Sequence, residues 1–325
     1  MIDSYTVLIT VSILRPEKEM IDSDFLAYLL ISNQYKTELL ISGDKAGATR
    51  EALTKSQLQN FDIYYPPIPE QKRIVATLDQ AFTDIEQARA KTEQNLLNAR
   101  ELFESYLQQV FSQRGEGWKN VSLSEICTKI TDGVHKKPTY IDEGIPFLKI
   151  NNLTLGSGIS FENVSYISSD DHQLFCKRTH PEKGDILITK DGTIGVVRII
   201  DTEIDFSIFV SLALIKPIDK DISPYLKFVL ESPLIQDQIN PQGAALKHLY
   251  LRDLRGFSIP VAPEPKQSEI VRSLNMMLIE VECLESIYQK KLDALDELKK
   301  SILQKAFTGQ LTQSDNPPHN KGAAA

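Results

Sequence analysis

The chain has 325 residues, enough for two or three domains with separate cores. Its apolar content of 42% is ordinary, no run is long enough to cross a bilayer, and no basic stretch leads into an apolar one at the start; no membrane span or secretion signal is expected, and the cytoplasm is the expected location. A net charge of −8 excludes a protein that grips nucleic acid by bulk electrostatics, so any such binding must rest on local positive charge or on other subunits.

In chain order, residues 1–65 read as a short mixed segment closed by Tyr65-Pro66-Pro67-Ile68-Pro69. Proline suits the entry of a helix and not its interior, so this joint fixes the start of a long helix from about Glu70 to Phe111, within 66–114. Residues 115–262 read as a β-rich globular segment, with strands expected at 147–150, 185–189, 193–200 and 208–215. Turn residues separate them, among them Asp132-Gly133 and Gly192, both assigned as turn formers only. Short helices are expected at 224–231 and around 249–255. The prolines at 260, 263 and 265 then open a second long helix, about Lys266 to Phe307, within 263–311. Residues 312–325 read as a disordered tail or a cloning remnant outside the fold. At 1.5 Å per residue each long helix is a rod of roughly 60 Å.

The chain carries one pattern twice, 196 positions apart. Gly47, Leu53, Leu58, Phe61, Ile63, Pro67, Gln71, Ile74, Leu78, Leu102, Leu107 and Phe111 recur as Gly243, Leu249, Leu254, Phe257, Ile259, Pro263, Gln267, Ile270, Leu274, Leu298, Leu303 and Phe307. Leu14-Arg15-Pro16 and residues 25–30 also match Ile215-Lys216-Pro217 and residues 225–230, but nothing ahead of them matches 118–201. The layout is therefore one whole globular unit, one partial unit and two whole helices. Duplication of this kind suits a two-part symmetric partner, of which duplex DNA is the commonest.

Steps of four and three give the second helix a seam of Ile270, Leu274, Met277, Val281, Leu284, Tyr288, Leu295, Leu298 and Ile302, interrupted by Lys291 with Leu292 beside it. The first helix has Ile74, Leu78, Ile85, Asn95, Leu102 and Tyr106, with Ala81, Ala88, Thr92 and Ala99 between. Its small, polar centre disfavours a homotypic pair. The two helices are expected to pack on each other as an antiparallel coiled coil, with Asn95 helping to set register; ordinary core helices are the alternative. The fold class is α+β, β-rich domains joined by two long helices.

Signals for other chemistry are incomplete. Asn316-Pro317-Pro318-His319 resembles in part the Asn-Pro-Pro-aromatic motif of amino-methyltransferases, but the aromatic is absent. Gly43-Asp44-Lys45-Ala46-Gly47 lacks the Gly-Lys-Ser/Thr end of a phosphate loop. The carboxylates of Glu70-Gln71-Lys72 and Pro181-Glu182-Lys183 occur in triplets that any charged chain contains. His172, Cys176 and His180 stand at intervals of four, yet no fourth ligand is evident and Pro181 follows at once, so no metal is expected. The three cysteines, Cys127, Cys176 and Cys283, form no paired framework and are expected to be free thiols.

The layout resembles the specificity subunit of type I restriction-modification systems, over the whole chain apart from the tail. The motifs that carry it are Trp118 to Leu123, Thr131-Asp132-Gly133-Val134-His135 with Pro138 and Tyr140, Gly144 to Asn152, Gly184 to Gly195, Gly243 to Leu249, and the Pro-Glu-Gln-Lys type of helix start. The resemblance implies a non-catalytic subunit without a cofactor of its own. Each globular unit would be a target recognition domain reading half of a split DNA sequence. The helices would be a spacer that docks methyltransferase subunits, which bind S-adenosylmethionine, and a restriction and translocase subunit would join them. With a shortened first domain the chain would read one half-site, as a homodimer or completed by another specificity fragment. On this reading the candidate DNA-binding residues are Thr131, His135, Lys136, Lys137, Thr139, Tyr140, Asn151, Asn152, Lys190, Thr193, Gln242, Lys247 and His248. For each residue singly, a solvated loop side chain is the plainer reading. The alternative function is a coiled-coil scaffold or protein-binding module without sequence-specific DNA recognition.

Overall fold

A computed structural model describes residues 13–32, 35–37, 58–239, 248–308, 310 and 320–323. The chain runs α1 (Ser23–Ile31), β1 (Asp62–Tyr65), α2 (Ile68–Ser112), β2 (Lys119–Ser122), β3 (Cys127–Asp132), β4 (Ile145–Leu148), α3 (Asn151–Thr154), β5 (Ser165–Ile167) and α4 (Ser169–Cys176). It continues with β6 (Ile186–Thr189), β7 (Val197–Ile199), β8 (Ser207–Ile208), β9 (Leu212–Pro217), α5 (Ser223–Glu231), α6 (Pro233–Ile239), α7 (Leu251–Gly256), β10 (Ser258–Val261), α8 (Glu264–Phe307) and β11 (Asn320–Ala323). Two units emerge, residues 1–97 with 285–325, and residues 98–284, so each long helix contributes one part to each unit. Among the described residues no helix is long and apolar enough to cross a membrane.

In the unit of residues 98–284, an antiparallel sheet has the order β3-β9-β6-β7, and a smaller one the order β5-β4-β8. Side chains alternate across a strand, so the central strands bury both faces. Ile186, Ile188, Ala213 and Ile215 pack with Tyr225, Leu226 and Val229 of α5, and with Leu107, Phe111, Ile270 and Leu274 of the long helices. Their neighbours Leu187, Leu212 and Leu214 pack on the other side with Leu148, Leu153, Phe206 and Ile208. The long strand expected at 208–215 is two strands. After β8 the chain turns through Leu212 N–H to Phe209 O (2.9 Å) and passes from the smaller sheet to the larger. The strand expected from 193 starts only at Val197, because Gly195 takes a left-handed conformation with φ +89°.

In the unit of residues 1–97 with 285–325, Phe25, Leu26 and Leu29 of α1 pack with Ile63, Tyr65, Ile74, Leu78 and Ala306. Its local chemistry duplicates that of the other unit. The Pro67 carbonyl accepts from the Glu70 and Gln71 amides at 2.9 and 3.1 Å, and the Pro263 carbonyl from Lys266 and Gln267 at 2.8 and 3.0 Å, so the same turn starts both long helices. Gln71 then donates to Pro66 O at 2.7 Å, as Gln267 does to Ala262 O at 2.8 Å. Buried Ser32 caps α1 by donating to Leu29 O, and buried Ser232 caps α5 by donating to Val229 O. Phe307 of α8 meets Phe25 edge-on at 5.4 Å, and Phe111 of α2 meets Tyr225 at 5.7 Å. The end of each long helix thus seats on the repeated short helix.

The long helices run antiparallel within each unit. Arg89 pairs with Asp296 and Glu86 with Lys299 in one; Tyr106 Oη lies 2.8 Å from Ser273 Oγ in the other. The seam differs from expectation at three leucines: Leu102, Leu284 and Leu298 are 55%, 37% and 46% exposed. From Val281 onward the inward row is 281, 285, 288, 292, 295, 299, 302 and 306, so every second seam position falls one residue later than expected. One residue turns a helix face by about 100°. Lys299 takes the place of Leu298, its ammonium bonding Glu86 and lying 5.1 Å from the Phe82 ring centre. Leu292, 7% exposed, replaces the polar Lys291 position. Asn95 is half-buried on α2. Leu292→Ala is therefore expected to destabilise the chain by about 2–4 kcal/mol, whereas Leu298→Ala should stay within about 0.5 kcal/mol. Equal losses in chemical denaturation would restore the original seam.

Of the expected tail, residues 320–323 form β11, which pairs antiparallel with β1 and so belongs to the fold; backbone donors on a short strand are open to such pairing. The rest of 312–325, including Asn316 to His319, and the run Gly43 to Gly47 lie outside the described residues, as do the candidates Gln242 and Lys247.

Candidate nucleic-acid interface

Most of the candidate residues gather at one end of the four-stranded sheet, where β3 and β6 finish and β9 begins. β3 ends in Asp132, and Gly133 follows. A Cβ on Gly133 would stand 2.0 Å from the Ile208 carbonyl oxygen, so this close approach requires glycine. Val134 then donates to Ile208 O at 3.1 Å and accepts from Val210 N–H at 3.1 Å, tying the loop to the β8–β9 turn. β6 ends in Thr189, whose hydroxyl donates to Thr193 O at 2.6 Å and accepts from Val196 N–H at 2.9 Å, closing the 190–195 turn. Gly192, with φ +62°, is the turn former expected. Lys190 donates its amide to Ser211 O and accepts Leu249 N–H, both at 2.8 Å, which brings His248 alongside.

At the centre lies Asp132, which is more than a turn former. Its carboxylate is 5% exposed and takes Lys190 Nζ at 2.6 Å on Oδ2. Arg178 Nη2 bonds Oδ1, and His135 Nε2 stands 3.4 Å from the same oxygen. Burial opposes its ionisation, but the bonds and charges of Lys190 and Arg178 prevail and hold the carboxyl below its ordinary pKa. Thr179 Oγ1 donates to the Asp132 carbonyl at 2.7 Å.

Three candidates are placed inward. Lys190 is 2% exposed, its charge spent on Asp132; it lies beneath the candidate surface rather than on it, unlike the expected contact residue. Thr131, 8% exposed, faces the core from β3, where it pairs with Leu214. Asn152, 6% exposed, has its amide engaged: Oδ1 accepts Lys149 N–H at 2.8 Å and Nδ2 donates to Ser160 O at 3.0 Å. It shapes the loop after β4 and has no free edge for adenine. Burial is the reason in each case, and sequence polarity did not reveal it.

His135, Lys136, Lys137, Thr139, Asn151 and Thr193 are exposed. Tyr140 is half-buried, its ring 6.0 Å from that of Phe147, with Lys149 Nζ 4.3 Å and Lys137 Nζ 5.6 Å from its centre. His248 is half-buried, with Nδ1 2.5 Å from Asp191 Oδ1 and its ring 4.7 Å from that of Tyr250. Arg178, absent from the sequence-derived set, adds a third cationic side chain to Lys136 and Lys137, beside the His135 imidazole. Its only sequence signal is its position just past α4, in a run with Lys177 and His180. The result is local positive charge on an acidic chain, arranged on loops that a sheet holds rigid.

The remaining motifs go to structural uses. His172 Nδ1 lies 2.9 Å from Ser207 Oγ and its Nε2 3.4 Å from Cys176 Sγ, while His180 stands 3.7 Å from Glu182. Glu182 bonds Lys216 and Lys220, which lower its pKa to about 2, and Glu70 pairs with Arg73 along α2.

The domain of residues 98–284 thus places two sheets on two long antiparallel helices, with lysines and an arginine on the loops at one sheet end. The chain belongs to the type I restriction modification DNA specificity domain family, whose family model matches residues 5–94 and 115–300. It is 26% identical over 308 residues to the Escherichia coli type I restriction enzyme EcoBI specificity subunit, covering 85% of this chain and 65% of that protein. To the EcoKI specificity subunit of E. coli K12 it is 25% identical over 332 residues, covering 94% of this chain and 69% of that one. The chain thus spans about two thirds of the length of these relatives. A solved chain from a study of complex assembly and conformational transition in a type I R-M system shares the fold, with a TM-score of 0.77 at 24% identity, over 91% of this chain and 73% of that one.

Proposed function

We propose that the chain is a non-catalytic DNA-recognition and assembly subunit of a type I restriction-modification complex. The observation that carries this reading is the cluster of His135, Lys136, Lys137 and Arg178 on loops fixed at one sheet end, within a family of specificity subunits. Local cations supply phosphate contacts that a net charge of −8 would otherwise oppose. The complete domain reads one half of a bipartite target, and a second copy of the chain or another specificity fragment supplies the other half.

The helices dock methyltransferase subunits, which carry S-adenosylmethionine. Exposed apolar side chains support this: Met276 and Ile279 are 56% and 66% exposed in one unit, and Ile287 and Leu298 are 52% and 46% exposed in the other. A restriction subunit joins the same assembly.

The test is binding of the full chain, with its methyltransferase subunit, to random-sequence duplexes at several salt concentrations. Enrichment of one sequence, with affinity falling as salt rises, is the expected result. Assembly with the methyltransferase but no sequence enrichment would identify a scaffold instead.

A further inference from the structure

We propose that Arg178 is a base-reading side chain of this interface, and that Asp132 is the residue that positions it; this rests on the DNA-recognition reading above. Asp132 already has a cation inside the fold, since Lys190 is 2% exposed and bonds Oδ2. One buried carboxylate needs one buried cation. Arg178 is therefore a surplus positive charge, attached to Oδ1 from the solvent side with its side chain 52% exposed.

The arginine is also held at its backbone. Lys129 Nζ donates to Arg178 O at 2.5 Å, the Arg178 amide donates to Phe175 O at 3.0 Å, and Thr179 is fixed to the Asp132 carbonyl at 2.7 Å. Nη2 is engaged by Asp132 and lies 3.3 Å from His135 Nε2, whereas Nε and Nη1 have no hydrogen-bond partner among the described residues. A guanidinium fixed by a carboxylate at one nitrogen offers its remaining donors at low entropic cost. The end-on fork pairs Nη1 with the hydrogen of Nη2 that is not spent on Asp132, and two acceptors in one plane match it, as the O6 and N7 of guanine in the major groove do. Phosphates demand less exact placement and suit the neighbouring exposed Lys136 and Lys137, neither of which has a carboxylate partner among the described residues. The held cation reads; the free ones anchor.

The test compares the wild-type chain with Arg178→Ala, Arg178→Lys and Lys136→Ala, each with the methyltransferase subunit, by sequencing random duplexes that remain bound. Arg178→Ala should lose preference for guanine at one position by about 5- to 150-fold. Arg178→Lys should lose it too, having the charge without the fork. Lys136→Ala should weaken all sequences alike. Asp132→Asn should reduce the same guanine preference in the wild-type background and change nothing further in Arg178→Ala, a coupling that a merely structural role would not produce. The Arg178 variants alter a half-exposed side chain, so they stay informative if Asp132→Asn folds poorly. An unchanged preference in Arg178→Ala, or a uniform loss with a shallower salt dependence, overturns the inference and leaves DNA recognition standing. Absence of any preference in the wild-type chain overturns both.

Discussion

Asp132→Ala is expected to destabilise the chain by about 3–5 kcal/mol, the cost of leaving a buried cation without its counter-ion. Lys190 is 2% exposed and its ammonium meets Asp132 at 2.6 Å, so burial leaves little hydration to compensate. The pair joins the end of β3 to the end of β6, so its loss loosens the ground on which the 133–140 and 190–195 loops stand. Asp132→Leu combined with Lys190→Met removes both buried charges and should recover most of the stability, since no buried ion is left unpaired and the half-exposed Arg178 turns to water. Denaturant unfolding of the three variants checks this, and a loss below about 1 kcal/mol in Asp132→Ala would mean the ion pair is solvated. The pair also carries a pH signature. Asp132 has a folded pKa below its unfolded value, so its contribution is fully present above the ordinary carboxyl pKa of about 3.9 and disappears as pH falls through the lower folded value. Stability of Asp132→Ala should therefore fall less steeply with acid than that of the wild-type chain.

Gly133→Ala is expected to cost about 3 kcal/mol, the upper part of the usual range for overpacking. The added methyl would meet the Ile208 carbonyl oxygen at 2.0 Å, and both partners are backbone. Neither can rotate away. Relief requires the loop to lift from the β8–β9 turn, with loss of the Val134 bonds to Ile208 and Val210. His135, Lys136 and Lys137 move with it, so DNA selectivity should fall together with the melting temperature. A Gly133→Ala chain of unchanged melting temperature would show that the loop has slack. By contrast, Gly158 has open space around it and should accept alanine, whereas Gly156, equally open, has a left-handed φ of +76° that strains any side chain.

The architecture was legible where the signal is local or repeated. Prolines at 67 and 263 announced the long helices, because the missing amide and fixed φ act at the residue itself. The 196-residue repeat anticipated the duplicated contacts of Gln71 and Gln267, and of Phe61 and Phe257. The coiled-coil seam was half legible: Leu274, Val281, Tyr288, Leu295 and Ile302 lie on the inward row, but Leu284 and Leu298 do not. The expected stripe holds Leu284, Lys291 and Leu298 and the inward row Glu285, Leu292 and Lys299, so hydrophobicity alone pointed to the wrong stripe. The partner helix chose between them through Phe82, Glu86 and the stem of Lys299.

The interface divided the same way. Its candidate loops were chosen from turn residues and cations, and His135, Lys136, Lys137 and Thr193 are on the surface. Lys190, Asn152 and Thr131 carry the same polar chemistry and are buried, while Asp132 and Arg178, 46 positions apart, form the central pair without any shared motif. By itself the sequence determined the repeat, the helix starts, the β-rich domain and the positively charged loops, all of which follow from chemistry within a few residues or from comparison of the chain with itself. Only the tertiary structure decided which polar groups face water and which neutralise one another. That choice depends on long-range strand pairing, here β3 and β6 on either side of β9, which brings a distant carboxylate and ammonium to 2.6 Å with both side chains buried.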